Sequence, residues 1–274
     1  MELIETVDGL RKALDAERAH GRTVGLVPTM GALHEGHLSL VRRAAAECDA
    51  VALTIFVNPL QFGAGEDLAA YPRDLDADAT LAAPAGVTHL FAPSAREMFP
   101  SPPSTTVHVA GAGDGREGTS RPGHFDGVAT VVAKLLAIAG PCRAYFGEKD
   151  HQQLEVIRRL VADLSLPVDV VACPTVREAD GLALSSRNAY LSPAERVAAP
   201  VLHRALLAGR ALAAQGVTDP AAVGAVIAAV VGTEPLARLD YAEAVSGRAG
   251  SWRLFVAARI GTTRLIDNLE AIAP

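Results

Sequence analysis

The sequence predicts an α/β protein: a Rossmann-like parallel sheet in an N-terminal domain, residues 1–175, followed by a smaller α+β lid domain, residues 176–274. Three observations carry this. Short apolar, β-branched runs alternate with longer amphipathic or Ala-rich stretches through the first two thirds, as in a parallel sheet with crossover helices. Two of the runs, Gly25 to Val27 and Arg143 to Phe146, end in a short break that leads into a helical pattern. After Thr175 the texture changes to Ala-rich helical stretches followed by apolar segments of strand length. In order, Gly25 to Val27 reads as the end of a buried strand, broken by Pro28-Thr29-Met30-Gly31. From His37 to Cys48, Leu40, Val41, Ala44, Ala45 and Cys48 recur at helical spacing. Asp49 to Val57 is a nearly continuous apolar strand, ended at Asn58-Pro59 because proline cannot donate to a ladder. Thr88 to Phe91 is a shorter strand, Gly127 to Ala139 a helix and Arg143 to Phe146 a strand. Asp150 to Leu164 is a helix with Leu154, Ile157, Val161 and Leu164 on one face, and Pro167 to Ala172 is another strand. Beyond the boundary, Pro193 opens a long helix at the position where proline is tolerated, and a second helix covers Pro220 to Val231. Strand-like segments follow at Leu239–Val245 and Leu254–Ile260.

Composition narrows the function classes. Lys and Arg number 25 against 31 Asp and Glu, a net charge of −6, which excludes a general nucleic-acid coat but not a local basic pocket for a phosphorylated small molecule. Cys48, Cys142 and Cys173 are odd in number and widely spaced, which suits a reducing compartment rather than a disulfide framework or a cysteine zinc site. The N-terminus lacks a basic segment followed by an apolar run, and no stretch approaches the roughly 18 uninterrupted apolar residues of a membrane span. The expectation is a cytoplasmic protein that binds neither nucleic acid nor membrane.

The sharpest motif is His34-Glu35-Gly36-His37, after a strand and at the mouth of a helix. Ligands of open α/β sheets bind outside the carboxyl ends of the strands, and helix N-terminal amides there attract anions. Two imidazoles at that point can hydrogen-bond phosphate oxygens. A zinc reading fails because His-Glu-x-x-His needs a spacing of four, and here it is three. The plain alternative is a turn that happens to hold two histidines. Gly147-Glu148-Lys149-Asp150 lies at another strand-to-helix transition, where Lys149 can neutralise phosphate charge and Asp150 can accept from a ribose hydroxyl or cap the helix. Ser185-Ser186-Arg187 supplies two hydroxyls and a guanidinium suited to phosphate, although a polar surface loop reads the same. Gln61 and Gln153 carry amides able to read a hydroxy-acid without adding charge. Arg121 lies in a Gly-rich stretch, 111–127, that reads as a mobile lid. Its GxGxxG match over Gly113–Gly118 is set aside because Pro122 and Gly123 follow and no helix is expected to open there. Asp74, Asp76 and Asp78 are oxygen-ligand candidates. His20, His89, His108 and His203 have no motif company and read as surface or packing residues, as does Trp252 for the core.

Pro28 to His37 closely resembles the signature of the pantothenate synthetase family, within the nucleotidyltransferase superfamily that carries His-x-Gly-His. Five further segments resemble the family's blocks in the family's order: Phe56 to Gly63, Tyr71-Pro72-Arg73, Arg121 to Phe125, Phe146 to Asp150 and Ser185 to Asn188. The resemblance implies an ATP-dependent ligase that condenses pantoate with β-alanine through pantoyl adenylate, releasing pyrophosphate and AMP. It implies catalytic roles for His34, His37, Lys149, Ser185, Ser186 and Arg187. ATP contacts would come from these and from Met30, Gly31, Ala32, Leu33, Glu35, Gly36, Gly147, Glu148, Asp150, Val176 and Leu184. Substrate contacts would come from Gln61, Gln153, Asn58 and Arg121, and Mg²⁺ would be held by Asp78. A homodimer is the family's assembly. Leu184 stands where the family often has methionine. Two alternatives stay open: an adenylyltransferase making a dinucleotide with the same histidine pair, and a nucleotide-binding module without turnover.

Overall fold

The structure, a computed structural model, describes all residues except 64, 65, 67, 102, 247–250, 273 and 274. The chain divides into two units, Met1–Pro174 and Thr175–Pro274.

The first unit is built on six parallel strands: β1 (Glu2–Ile4), β2 (Val24–Thr29), β3 (Ala50–Ile55), β4 (His89–Phe91), β5 (Cys142–Gly147) and β6 (Val168–Cys173). Among the described residues seven helices connect them: α1 (Val7–Ala19), α2 (Glu35–Glu47), α3 (Leu75–Ala85), α4 (Ala95–Met98), α5 (Arg116–Ser120), α6 (His124–Ala139) and α7 (His151–Asp163). The strand order is β1-β4-β3-β2-β5-β6. Successive strand residues feed opposite faces, as the two-residue repeat of a strand requires. Leu26, Ala52, Phe91, Ala144 and Phe146 pack with α1, α6 and α7, while Val27, Val51, Leu53, Leu90 and Tyr145 pack with α2 and α3. Both faces are covered, which is why these strands read as apolar runs rather than alternating ones.

The order reverses between β2 and β5. Chain order runs from β2 outward through β3 and β4 on one side, then restarts at β5 and β6 on the other. Thr23 and Thr29 give their carbonyls to β3, so Pro28 faces the β5 side. Pairing with β5 has already ended there, at Leu26. Proline therefore removes no ladder bond, and the two strands part to leave a crevice at their carboxyl ends.

The second unit holds α8 (Pro193–Ala198), α9 (Val201–Ala214) and α10 (Pro220–Val231), with the antiparallel sheet β7 (Ala237–Ser246), β8 (Ser251–Ile260) and β9 (Thr263–Ile272) in that order. Its core joins Val201, Leu202, Ala205, Leu206, Val223 and Ile227 of the helices to Trp252, Leu254, Val256, Ala258 and Ile260 of β8. The long helix expected from Pro193 is instead two helices, because Pro200 interrupts the run and serves as the N-cap of α9. The stretch Pro193–Ala214 has the length and composition of a membrane span, but half of it is buried inside the protein and it behaves as core. A second correction concerns the Gly-rich stretch, where two helices do open: α5 after Gly115 and α6 directly after Gly123. The dinucleotide reading still fails, since among the described residues no strand lies between β4 and β5 to feed those glycines. Strands β1 and β9 and helices α1, α3 and α4 were not expected.

Candidate active site

At the carboxyl end of β2 the chain turns through Met30 to Leu33 and enters α2. His34 is the N-cap of α2, in extended conformation, and its Nδ1 accepts the Gly36 N–H at 3.1 Å. The neutral His34 ring therefore carries its proton on Nε2. The His34 and His37 rings stack with centroids 4.0 Å apart and planes 29° from parallel. Burial lowers His34 to about 4, and the nearby Lys149 adds to that. Burial lowers His37 to about 3, with His34 and Lys149 contributing. Both imidazoles are thus neutral at physiological pH, and His37 Nδ1 is buried with no hydrogen-bond partner among the described residues.

Lys149 comes from across the crevice. It lies in a single 3₁₀ turn, Glu148–Asp150, between β5 and α7, with its Nζ 3.8 Å from Asp150 Oδ1. Asp150 precedes α7 but makes no side-chain cap, so its carboxylate is not spent on the helix. Direct pairing of β2 with β5 is what brings the two turns to one edge. Glu35 points elsewhere: it is exposed and ion-paired with Arg42, leaving only its backbone toward the helix mouth.

The turn after β3 supplies the amides. Asn58 Nδ2 donates to Gln61 Oε1 and to the Gly127 carbonyl, both at 3.1 Å. Gln61 Nε2 in turn donates to Met30 Sδ at 3.1 Å, so the Asn58–Gln61 turn and the Met30 turn meet. Gly127 is required at this contact, since a Cβ would run into the Leu60 carbonyl. Gln153 is the third residue of α7 and half-buried.

Arg121 was expected to meet substrate, but its donors are already engaged. Nε and Nη2 fork onto Glu66 Oε1 and Oε2 at 2.7 and 2.6 Å. Nη2 also donates to the Gln61 carbonyl at 3.3 Å, and Nη1 to His124 Nε2 at 3.1 Å. His124 Nδ1 donates to the same Gln61 carbonyl at 2.9 Å. Burial pushes His124 down to about 4 and the Arg121 charge adds, so this ring is neutral too. Arg121 is in this structure a clamp on the Gln61 turn. Gln152, the neighbour of Gln153, ties down the Gly-rich stretch: Oε1 accepts from Glu117 N–H, and Nε2 donates to the carbonyls of Ala112, Asp114 and Gly115. Glu66 and Gln152 had no motif to announce them, and His124, within the Arg121 to Phe125 segment, was given no role of its own.

Asp78 was expected to hold Mg²⁺. Its two oxygens instead accept the N–H groups of Ala32 and Leu33, and it is buried. Among the described residues no three His, Cys, Asp or Glu groups gather in a way that could hold a metal ion. Buried and with each oxygen accepting a backbone N–H, the Asp78 carboxylate is turned to the chain rather than presented to a Mg²⁺ ion, which takes open oxygen ligands.

Val176, Leu184, Ser185, Ser186 and Arg187 belong to the second unit. Leu184 N–H donates to the Val176 carbonyl at 2.9 Å, closing a small hairpin whose Arg177 forks onto Asp267 at 2.6 and 2.9 Å. Ser185 Oγ accepts from Arg187 N–H and caps the 3₁₀ turn Ser186–Tyr190.

The family model for pantoate-beta-alanine ligase matches residues 2–270. The chain is 55% identical to a pantothenate synthetase of Heliobacterium modesticaldum, covering 98% of this chain and 99% of that protein. It is 52% identical to one of Brucella anthropi, covering 98% and 96%. The crystal structure of pantothenate synthetase from Thermus thermophilus superposes over 100% of both chains with a TM-score of 0.93 at 51% identity. A pantoate-beta-alanine ligase from Francisella tularensis, complexed with beta-gamma ATP and beta-alanine, superposes with a TM-score of 0.84 at 34% identity over 98% of this chain and 97% of that one.

Proposed function

Because this chain belongs to the pantoate-beta-alanine ligase family, we propose that it condenses pantoate with β-alanine at the expense of ATP, through an acyl adenylate. The pantoate carboxylate attacks the α-phosphorus of ATP, forming pantoyl adenylate and releasing pyrophosphate. The β-alanine amine, as the free base, then attacks the acyl carbon, expels AMP and loses a proton to form the amide. A carboxylate is a poor electrophile, and the mixed anhydride supplies the leaving group it lacks. No side chain serves as a nucleophile, so catalysis rests on positioning and on stabilising phosphate charge.

The observation that carries the reading is the stacked, neutral His34–His37 pair beside Lys149, at the point where the strand order reverses. The His34 Nε2–H, the His37 ring and the Lys149 ammonium take the charge that develops on the phosphates. The positive end of the α2 dipole assists, as helix N-termini do for anions. Met30 to Leu33, Gly36, Gly147, Glu148 and Val176 border the nucleotide, and the uncapped Asp150 accepts from a ribose hydroxyl. Gln61, steadied by Asn58, and Gln153 hold pantoate. On the family resemblance, Ser185, Ser186 and Arg187 are further phosphate donors, with Leu184 offering its backbone. Mg²⁺ brought in with ATP would supply neutralisation of phosphate charge. No residue of this chain is assigned to it. The relative complexed with beta-gamma ATP and beta-alanine supports the choice of small-molecule substrates. We assign the chain to the cytoplasm and to a homodimer on the same family grounds.

ATP–pyrophosphate isotope exchange tests this, run with and without pantoate before any β-alanine is present. Exchange that requires pantoate, followed by AMP release when β-alanine is added, is the expected result. Pyrophosphate release that never yields AMP would favour a dinucleotide-forming enzyme. ATP binding without exchange or AMP would favour a module without turnover.

A further inference from the structure

The buried carboxylate of Asp78 has a different role from the one its motif suggests. Asp78 sits in the first turn of α3, 3% exposed. Its Oδ2 lies 3.0 Å from the Ala32 nitrogen and its Oδ1 lies 2.7 Å from the Leu33 nitrogen. Successive amides converge on one anion when the backbone between them is turned into a concave nest. That turn is present: φ is +83° at Gly31 and +51° at Ala32. Gly31 suits it, since a Cβ there would come within 2.8 Å of Asp78 Oδ2 and 3.0 Å of Ile55 Cγ2. Ala32 does not, because an alanine in the left-handed region is strained and stays there only when its surroundings impose the conformation.

The surroundings that impose it are the two bonds to Asp78. The neighbouring acids take no part in this. Asp74 is spent as the N-cap of α3, its Oδ1 accepting from Ala77 N–H at 3.0 Å, and Asp76 is exposed. Burial pushes the Asp78 carboxyl up, and Asp74 adds to this against the pull of the two amides. The first turn of α3, rich in free N–H groups, favours a negative charge there.

We propose that Asp78 is a positioning residue whose internal carboxylate holds the Ala32 and Leu33 amides, and thereby sets where His34 and the α2 N-terminus meet the nucleotide, rather than a ligand for Mg²⁺. The catalytic arm of the test rests on the nucleotide reading above. The stability arm does not, so failure of one is distinguishable from failure of the other.

The test compares wild type, Asp78→Asn, Ala32→Gly and the double variant by thermal melting in EDTA with no nucleotide. Asparagine keeps the shape but turns an N–H toward a backbone N–H. Asp78→Asn is expected to melt several degrees lower, and Ala32→Gly to recover part of that loss in the double variant, because glycine adopts the left-handed turn unaided. In turnover, KM for ATP should rise about tenfold while KM for pantoate and the half-saturating Mg²⁺ concentration stay within about twofold, since only the nucleotide loop has moved. An unchanged melting temperature in EDTA would overturn the proposal. So would a shift in half-saturating Mg²⁺ that accompanies the substitution. Should Asp78→Asn not fold, Mg²⁺ alone is titrated into the wild-type chain. No rise in melting temperature is expected, and a saturable rise, lost in the double variant, refutes the proposal.

Discussion

Replacing Glu66 by glutamine removes the anionic half of the fork on Arg121 while keeping its shape. The two side chains are 25% and 13% exposed, so the pair is neither free in water nor fully desolvated. Arg121 holds the Glu66 carboxyl down from 4.5 to about 2. At about 1.36 kcal/mol per pKa unit, that gap corresponds to ~3 kcal/mol between the ionised and neutral forms. Water still reaches a quarter of the Glu66 side chain, which reduces the expected contribution to about 2 kcal/mol. For a unit of this size, that is a drop of about 4–8 °C in melting temperature. The sign follows from linkage: a carboxyl whose folded pKa is depressed contributes stability that is present above the unfolded value and lost as pH falls through the folded one. The difference between wild type and Glu66→Gln should therefore be constant above about pH 5 and shrink to less than half by about pH 3.

The same variant reads the function of Arg121. Its Nη2 and His124 Nδ1 both hold the Gln61 carbonyl, so loosening the fork frees the Gln61 turn. KM for pantoate should rise several-fold with kcat nearly kept. A difference in melting temperature that is the same at pH 3 and pH 7 would refute the electrostatic account. A fall in KM for pantoate would refute the clamp, since it would mean that the released guanidinium binds the substrate carboxylate.

The buried imidazoles give a second prediction: in NMR titrations His34 and His37 should stay neutral down to about pH 5, and a midpoint near 6.5 for either would contradict their burial. Because the unfolded chain takes up protons that these rings refuse, stability should fall as pH drops from about 6.5 toward 4. His37→Ala should lose about 10²–10³ in kcat with the fold intact by circular dichroism, and wild-type turnover would remove the pair from the mechanism. Gln153→Ala should raise KM for pantoate at near-wild-type stability, and an unchanged KM would contradict its role. Gln152→Ala, one residue away, should instead cost about 2–4 kcal/mol by stripping partners from four backbone groups, and should speed amide exchange across 112–117. Unchanged exchange there would refute the anchoring.

The elements that frame the crevice were legible because they are covered on both faces. β2, β3, β5 and β6 read as apolar runs, and of the face expected for α7, Leu154 and Ile157 are buried while Leu164 lies past the helix end and is exposed. β1 is only three residues long, too short for a periodic signal. β9 hides its strand character behind Asp267 and Asn268, two polar residues buried in mid-strand. Asp267 is buried because it receives the Arg177 fork. The break between α8 and α9 was readable at Pro200, but the Ala-rich helical composition on both sides outweighed it. The histidine pair, Lys149 and the Asn58–Gln61 turn were legible as motifs because each is a short consecutive segment at a strand end.

What the motifs leave out has a common physical origin. A turn that leaves a strand and has not yet joined a helix has backbone groups with neither ladder nor helical partners, and burial makes each one costly to leave unpaired. In this chain those groups are satisfied by side chains from far along the sequence. Asp78 reaches back 46 residues to Ala32, Gln152 reaches back 35 to Glu117, and Glu66 meets Arg121 across 55. No spacing rule links such pairs, since the fold alone brings them together. Each partner therefore reads from sequence as something else: Asp78 as a metal ligand, Arg121 as a substrate cation, Gln152 as nothing at all. A polar residue that motif logic sends to the ligand is thus better tested first against the nearest turn, and Asp78 and Arg121 are two places in one chain where the turn holds the claim.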